Sequence, residues 1–323
     1  MEDYKTARLI NSILTQYYLE GKRQADIAQD LNLSTPKVNR LLKQARDQGL
    51  VEIKIHTPYL NSFELEKRLL AVTGLRDAVV VPTLTADTSS TLQTIGSVGA
   101  DYLLGQLRDG DIICMGGGRT VEALVQAIQP ERTYDVQVAP AIGGVQGMYH
   151  TNLNYLVAEL ARKLGGQAHQ LHAPAFVDSP EEREAVLGLR QVGEILALAR
   201  QARIALVGIG AVTPISSSYF QFTSLDTNDM TEIVEREQGV GEILAHIYTA
   251  DGRLCAPDYA RRVVALSPED LKNIPVTIGL AATESKILPV YGMLKGRFLN
   301  RLITDEEVAT QVLAKFEKES SRA

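Results

Sequence analysis

Apolar residues recur every three or four positions in two short segments near the start of the chain. The pattern in residues 25–31 predicts a short helix, and the pattern in residues 38–45 predicts a second one. Residues 32–33 between them predict a tight turn. Ser34 suits the N-cap of the second helix, and Pro36 suits its first turn, where a missing N–H is harmless.

The residues after the second helix add a strand to this pattern. Gly49 ends the helix, and the alternating VEIKI of residues 51–55 predicts a strand, as in the wing of a winged helix. Two short helices joined by so brief a turn form a helix-turn-helix. We therefore predict a winged helix-turn-helix domain over residues 1–57.

The second helix carries four basic residues and no acidic one between Ser34 and Arg46. In a helix-turn-helix this helix lies in the major groove of duplex DNA, with its N-terminal residues against base edges. Cations opposite the apolar face suit the phosphates beside the groove, although a solvated basic helix gives the same pattern. The candidates for contacts to bases are Thr35, Lys37 and Asn39. The candidates for contacts to the DNA backbone are Gln24, Ser34, Arg40 and Lys43.

Short apolar strands alternate with helical segments over residues 58–323. The apolar spacing predicts helices over residues 62–74, 91–107, 120–128, 153–165 and 180–202. Apolar runs predict strands over residues 78–82, 111–115, 136–144, 203–210 and 275–282. This alternation indicates an α/β domain with a mostly parallel sheet covered by helices on both faces. Such sheets bind ligands at the carboxyl ends of their strands.

Three of the predicted strands end in glycines, at residues 116–118, 143–144 and 208–210. Glycine lets the backbone approach a ligand closely. The first group leads into a predicted helix start, whose free N–H groups suit a phosphate. The candidate residues there are Gly116, Gly117, Gly118, Arg119 and Thr120. The glycines could also serve only a tight turn from strand to helix, and backbone N–H groups can bind the hydroxyls of a neutral sugar or polyol.

Composition and charge fit a globular protein of two domains. The chain has 323 residues, of which 45% are hydrophobic and 22% charged. Residues 1–57 hold nine Lys and Arg against seven Asp and Glu, whereas the remainder holds 24 against 32. The positive part is the one predicted to bind a polyanion. Two distant cysteines and a charged start without a signal peptide indicate the reducing cytoplasm, and no apolar run is long enough to span a membrane.

Several stretches together resemble the SorC/DeoR family of bacterial sugar-responsive transcription regulators. They are IAQDLNLSTPKVNRLLKQARDQGLVEIKI, GGGRTVEAL, HAPAFVDSPEER, IALVGIG, VGEILAHIYTADG and LKGRFLNRLITDEEVATQVL. The resemblance implies a winged helix-turn-helix joined to a Rossmann-like parallel-sheet effector domain, similar to the fold of ribose-phosphate isomerase and glucosamine-phosphate deaminase. It also implies a homotetramer, a dimer of dimers, that binds operator DNA and responds to a sugar, a polyol or a sugar phosphate.

The resemblance also assigns effector-binding positions. Residues 116–120 match the loop that holds the effector's phosphate, Asp251 matches an acid that receives sugar hydroxyls, and Lys286 matches a lysine at the ligand. Before this lysine the family usually has a glycine pair, whereas this chain reads AATESK. Thr35 and Asn39 stand where the family more often has arginine and serine, so the operator should differ from the common one.

Some of these residues have more than one interpretation. Lys286 could pair with a phosphate or carbonyl oxygen, could form a Schiff base with an open-chain aldehyde, or could be a solvated lysine. Asp251 lies in an Asp-Gly pair, which also favours a simple turn. Gln146, Tyr149 and Asn154 follow the second glycine pair and are further candidates for the same crevice.

The sequence favours a sensor over an enzyme. An isomerase or deaminase needs a positioned acid and base beside the sugar's reacting carbons, and no such pair stands out at the predicted strand ends. The histidines lack metal-ligand spacing, so neither a metal nor a cofactor is expected. We therefore predict a transcriptional regulator of a carbohydrate-utilisation operon. The alternative is a sugar-phosphate isomerase or deaminase with an attached DNA-binding module.

Overall fold

The structure of the protein is a computed structural model that describes residues 2–52, 59–83, 87–145, 152–213, 223 and 225–321. The chain forms two compact units, Met1–Pro58 and Tyr59–Ala323. Among the helices of the described residues, none has both the length and the apolar character needed to cross a lipid bilayer.

The smaller unit is helical. Its helices are α1 (Glu2–Leu14), α2 (Gln24–Asp30) and α3 (Thr35–Asp47), and a π-helical turn, Thr15–Leu19, follows α1. They pack around one apolar cluster of Ile10, Ile13, Ile27, Ala28, Val38, Leu41, Leu42 and Ala45. The predicted helices at residues 25–31 and 38–45 are confirmed, and each contributes the apolar face that its spacing indicated.

The segment between α2 and α3 turns sharply. Asn32 has a φ of 52°, in the left-handed region that asparagine adopts more readily than most residues. Ser34 occupies the N-cap position of α3 with extended backbone, and Pro36 lies in the first turn, as predicted. Gly49, with a φ of 71°, follows the helix. Of the predicted wing strand, residues 51–52 are not in a strand, and residues 53–55 lie outside the described residues.

The larger unit alternates strands and helices. Its strands are β1 (Asp77–Val81), β2 (Ile112–Met115), β3 (Gln137–Pro140), β4 (Gln167–Ala168), β5 (Ile204–Gly208), β6 (Gly210–Ala211), β7 (Gly239–Ile243), β8 (His246–Thr249), β9 (Val276–Leu280) and β10 (Arg301–Asp305). Its α-helices are α4 (Leu60–Thr73), α5 (Thr88–Gln106), α6 (Arg119–Ala127), α7 (Leu153–Leu164), α8 (Pro180–Leu187), α9 (Arg190–Arg200), α10 (Thr227–Thr231), α11 (Pro257–Ala260), α12 (Pro268–Asn273), α13 (Ile287–Lys295) and α14 (Glu306–Ser320).

A seven-stranded sheet forms the centre of this unit, in the order β1-β10-β9-β5-β2-β3-β4. Every neighbouring pair in it is parallel. Two large apolar clusters account for the core, and strands β2 and β5 contribute to both, as expected of strands buried on two faces. The predicted α/β fold with a parallel sheet is confirmed.

A smaller antiparallel sheet, in the order β6-β7-β8, was not predicted. Strands β7 and β8 form a hairpin in which Ile243 pairs with His246, so Leu244 and Ala245 make the turn. Both turn residues have positive φ, 47° and 67°. Such turns normally contain asparagine or glycine. Because this turn has the apolar pair Leu-Ala instead, the sequence did not indicate a hairpin here.

The helix predicted over residues 180–202 is wrong as a single element. It divides into α8 and α9, with Gly188 as the C-cap of α8 and Leu189 in extended conformation before α9. Glycine disfavours helix interiors by about 1 kcal/mol relative to alanine, which makes this the weakest point of the pattern.

Candidate functional site

The carboxyl ends of three adjacent strands meet at one edge of the large sheet. Strands β9, β5 and β2 are neighbours, and each is followed by a loop at that edge. Residues 116–118 follow β2, residues 209–210 follow β5, and residues 281–286 follow β9. The glycine loop and the segment that carries Lys286 are therefore on either side of the segment after β5, at the edge where parallel sheets bind ligands.

The glycine loop, residues 116–118, is tied to β5. The Gly116 N–H donates to the Leu206 carbonyl at 2.9 Å. A side chain at Gly208 would begin 3.0 Å from the Gly117 carbonyl oxygen, so the two backbones approach closely and glycine fits best. Gly118 has φ 120° and ψ 159°, a conformation open almost only to glycine, and it precedes α6. The glycines thus have the structural role of a tight turn as well as any role in binding.

Helix α6 begins with unsatisfied donors. Within the part of the chain that the structure describes, the backbone N–H groups of Arg119, Thr120 and Val121 donate no hydrogen bond. These groups carry the partial positive charge of a helix N-terminus. Arg119 is exposed, whereas Thr120 is buried and its hydroxyl donates to the Leu280 carbonyl at 3.3 Å. The Thr120 side chain therefore links α6 to β9.

Lys286 lies beside this helix start. It is the N-cap of α13 and is half-buried. Burial lowers the pKa of its ammonium group, the Glu242 carboxylate opposes that shift, and the Arg119 guanidinium adds to it. Because their charges act on the pKa of Lys286, the Glu242 carboxylate and the Arg119 guanidinium are both within electrostatic reach of its ammonium. Within the described part of the chain, the Lys286 side chain donates no hydrogen bond, so its ammonium is available to a ligand.

Glu242 is the residue that the sequence analysis missed. It lies in β7 opposite Gly210, and a side chain at Gly210 would begin 1.9 Å from the Glu242 Oε1 atom. One carboxylate oxygen accepts the Ala245 N–H of the hairpin turn at 2.9 Å. Burial raises the pKa of this carboxyl, against the lowering effects of that hydrogen bond and of Lys286. The Gly-Ile-Gly of residues 208–210 was the one signal in the sequence that pointed to a close neighbour here, because Gly210 leaves room for the Glu242 carboxylate.

The structure places Asp251 elsewhere. Its carboxylate receives the Thr249 hydroxyl and pairs with Arg253 Nε at 2.7 Å. The adjoining Gly252 packs on the backbone of Gly296, at the C-terminal end of α13. Lys286 is at the other end of that helix, so its backbone is about 15 Å from Gly296 by helix geometry. The proposed contact of Asp251 with the effector stays a prediction, and its observed role is in the turn after β8.

Asn154 also has a structural partner. Its amide both donates to the Leu171 carbonyl at 3.1 Å and accepts the Leu171 N–H at 3.0 Å. The glycine pair at residues 143–144 also has a structural role. A side chain at Gly143 would begin 2.3 Å from the Pro174 carbonyl oxygen, so the two backbone segments can approach closely only with glycine there. Gln146 and Tyr149 lie outside the described residues.

The predicted DNA-contacting residues lie on one side of α3. Thr35, Lys37, Asn39, Arg40 and Lys43 are exposed, opposite the buried face. Ser34 is exposed too, and its hydroxyl makes no cap hydrogen bond. Gln24, at the start of α2, is half-buried. The basic and polar residues thus form a continuous surface that remains available to a partner.

A metal centre is not evident in the described residues: they contain no group of three or more His, Cys, Asp or Glu side chains that could hold an ion. Both cysteines, Cys114 and Cys255, are free. The chemistry that the strand-end site offers is therefore that of one amine, one carboxyl, one guanidinium and a row of backbone N–H groups.

Comparison with known proteins identifies the family. The model of a family described as "Putative sugar-binding domain" matches residues 57–314. The chain belongs to the SorC/DeoR family of sugar-binding transcriptional regulators. The sorbitol operon regulator of Klebsiella pneumoniae is 30% identical over 97% of this chain and 100% of its own length. The deoxyribonucleoside regulator of Bacillus subtilis (strain 168) is 29% identical over 92% of this chain and 93% of its own length.

The fold comparison agrees with the sequence comparison. The crystal structure of the full-length sorbitol operon regulator SorC from Klebsiella pneumoniae superposes with a TM-score of 0.74 at 29% identity. The match covers 95% of this chain and 98% of that structure, so it extends over both units of this chain.

Proposed function

We propose that this SorC-family protein regulates transcription of a carbohydrate-related operon by reading DNA with α3 and binding a sugar-type effector at the ends of β2, β5 and β9. The meeting of the α6 N-terminus, Lys286 and Glu242 at one sheet edge carries this proposal. Unpaired N–H groups and an ammonium suit a phosphate or another anion, and the carboxylate suits sugar hydroxyls. The relatives named sorbitol operon regulator and deoxyribonucleoside regulator support a role in regulating carbohydrate-related genes.

On the DNA side, Thr35, Lys37 and Asn39 are assigned to base edges. Arg40 and Lys43 are assigned to phosphates, together with Ser34 and Gln24. The exposure of α3 opposite its buried face supports this division, because a helix in the major groove presents its N-terminal residues to bases and its flanks to the backbone.

A thermal-shift screen tests the effector part. The panel is D-sorbitol, erythritol and D-ribose, together with a phosphate ester of each. An effector present at a hundred times its Kd stabilises the folded state by roughly 2.7 kcal/mol. Shifts with phosphorylated compounds that disappear in Lys286→Ala are expected. Shifts confined to neutral polyols would overturn the assignment of the glycine loop to a phosphate.

The control mechanism is a change between two arrangements of a homotetramer, one of which matches the operator half-sites. Coupling of this kind is reciprocal, so an effector that weakens DNA binding binds the DNA complex less tightly by the same factor. Sedimentation should give a mass four times that of the 35.3 kDa chain. A monomer at micromolar concentration would contradict the mechanism.

Turnover measurements separate the regulator from the alternative, a sugar-phosphate isomerase or deaminase. Glu242 and Lys286 supply an acid and an amine at one site, which are the groups that such chemistry uses. We expect no interconversion when the purified protein is incubated with D-ribose 5-phosphate or glucosamine 6-phosphate. Isomerisation or ammonia release above background, lost in Glu242→Gln, would establish the enzyme.

A further inference from the structure

The loop that carries Lys286 contains a strained residue. Thr283 has φ 82° and ψ 156°, a region of backbone conformation that is adopted almost only by glycine. A residue branched at Cβ is a true outlier there. Such a conformation persists only when the surroundings hold it in place, so the groups that contact Thr283 are of interest.

Asp305 is the group that holds Thr283. One oxygen of its carboxylate accepts the Thr283 N–H at 2.7 Å. The other oxygen accepts the Val308 N–H at 2.8 Å, which caps the start of α14. The Asp305 side chain is almost fully buried, since only 2% of the residue is exposed. A buried carboxylate shared between two backbone donors holds both of them firmly.

The other backbone group of Thr283, its carbonyl, fixes Lys286. The Thr283 carbonyl accepts the Lys286 N–H at 2.9 Å, in the single 3₁₀ turn Glu284–Lys286. The Thr283 and Ser285 hydroxyls are also within hydrogen-bond distance, at 3.3 Å. The position of Lys286 therefore depends on a backbone conformation that has Asp305 as its anchor.

We propose that Asp305 is a positioning residue of the effector site, which holds strained Thr283 and through it keeps Lys286 facing Glu242 and Arg119. The inference rests on the proposed function, because it takes Lys286 to be an effector contact. The simpler role for Asp305 is to cap α14 alone. In that case the bond to Thr283 would not affect Lys286.

Two variants separate these roles. Asp305→Ser and Asp305→Asn both retain a good N-cap residue for α14, but neither can serve both donors as a carboxylate does. Once released, Lys286 becomes solvated and loses the burial that lowers its pKa. Competitive acetylation with acetic anhydride across a pH series, followed by peptide mass spectrometry, gives the pKa of Lys286 directly. We expect it to rise towards the ordinary lysine value.

Matched controls isolate the contact. Asp270→Asn removes another carboxylate that accepts a backbone N–H, that of Ser267 at 2.8 Å at the start of α12, and should leave the Lys286 pKa unchanged. Thr283→Gly removes the strain, because glycine adopts this conformation freely. Adding it to Asp305→Ser should bring the Lys286 pKa back towards the wild-type value. A helix cap alone would give no such rescue.

An unchanged Lys286 pKa in Asp305→Ser would overturn the proposal. If both Asp305 variants fail to fold, Thr283→Pro leaves the α14 cap intact but deletes the N–H that Asp305 accepts. Because proline holds φ at about −65°, it also abolishes the φ of 82° on which the position of Lys286 depends. An unchanged Lys286 pKa in that variant would overturn the proposal equally.

Failure of the effector assignment has a separate signature. Inorganic phosphate should protect wild-type Lys286 from acetylation if the anion site is where we place it. Absence of that protection contradicts the proposed function and says nothing against Asp305. Protection in the wild type, together with an unchanged Lys286 pKa in Asp305→Ser, contradicts the positioning role alone.

Discussion

At the scale of single residues, the proposed site depends most on Glu242. Its half-buried side chain lies opposite Gly210, it holds the hairpin turn through the Ala245 N–H, and its charge acts on Lys286. A buried carboxylate near an ammonium can accept hydroxyl hydrogens that water would otherwise satisfy. Removing its charge without changing its shape is therefore an informative substitution.

Glu242→Gln should weaken effector binding by about 10- to 100-fold, since a hydrogen bond to a charged group contributes roughly 1.5–3 kcal/mol. The amide oxygen can still accept the Ala245 N–H, so the fold should be retained. Titration calorimetry with the compound that gives the largest thermal shift measures the change. Glu235→Gln, at an exposed position, is the control, and equal affinities of the two variants would remove Glu242 from the site.

His246 makes stability depend on pH. It is buried at 8% exposure, and its Nε2 has no hydrogen-bond partner among the described residues. Burial lowers its pKa from 6.5 to about 4, and nearby Arg183 contributes in the same direction. The folded state therefore binds fewer protons than the unfolded state between these values. Its contribution is fully present above about pH 6.5 and is lost as the pH falls towards 4.

We expect His246→Asn to flatten this dependence. The asparagine amide does not titrate, so the wild type should lose on the order of 3 kcal/mol more than the variant between pH 7 and pH 4. Urea unfolding at a series of pH values measures the difference. Parallel curves for the two proteins over this interval would show that His246 takes up its proton as readily in the folded state as in the unfolded state.

At the scale of elements, α3 is the part that should carry DNA affinity. Arg40→Ala should weaken binding to any duplex and reduce the slope of log K against log salt by about 0.9, the value for one lost phosphate contact. Fluorescence anisotropy with a labelled duplex at several salt concentrations measures both. Arg190→Ala, which removes an exposed arginine from α9, should leave the slope unchanged. Identical slopes for both variants would exclude Arg40 from the interface.

A helix or strand could be predicted from the sequence where its own residues form a recognisable pattern. Helix α3 has an apolar face, a cap position and a basic side, and β5 and β9 are continuous apolar runs. The β7–β8 hairpin has no such signal, because Leu244 and Ala245 adopt positive φ without asparagine or glycine. Strand β10 was missed for a different reason. Its five residues, RLITD, include only two apolar ones, and the strand runs directly into α14 without a loop.

The candidate site was predictable only in part. The glycine loop and Lys286 follow strands that the sequence shows, and the parallel sheet brings their ends together. Glu242 comes from the antiparallel sheet, and its approach to Lys286 depends on pairing between β6 and β7. For Asp251 the sequence left two interpretations open, a contact to the effector and a simple turn. An Asp-Gly pair in the sequence cannot reveal that its carboxylate is bound to Thr249 and Arg253.

At the scale of the whole molecule, the two units have separate cores and should unfold separately. Leu42, 2% exposed in the core of the smaller unit, is the substitution that tests this. Leu42→Ala should destabilise that unit by about 2–5 kcal/mol. Differential scanning calorimetry should show one transition moving to lower temperature while the other stays. Leu50→Ala, at a position 57% exposed, is the control, and a joint shift of both transitions would show that the units unfold as one.

The sheet order also governs how the chain can fold during synthesis. Strand β1 pairs with β10, so Asp77 meets Arg301 only when almost the entire larger unit has left the ribosome. Contacts between residues so distant in sequence are slow to form, because a long loop must close first. The helical unit at the N-terminus has mostly local contacts and can fold while the rest is still being translated. In the nascent protein the unit proposed to bind DNA would thus be complete well before the unit proposed to bind the effector.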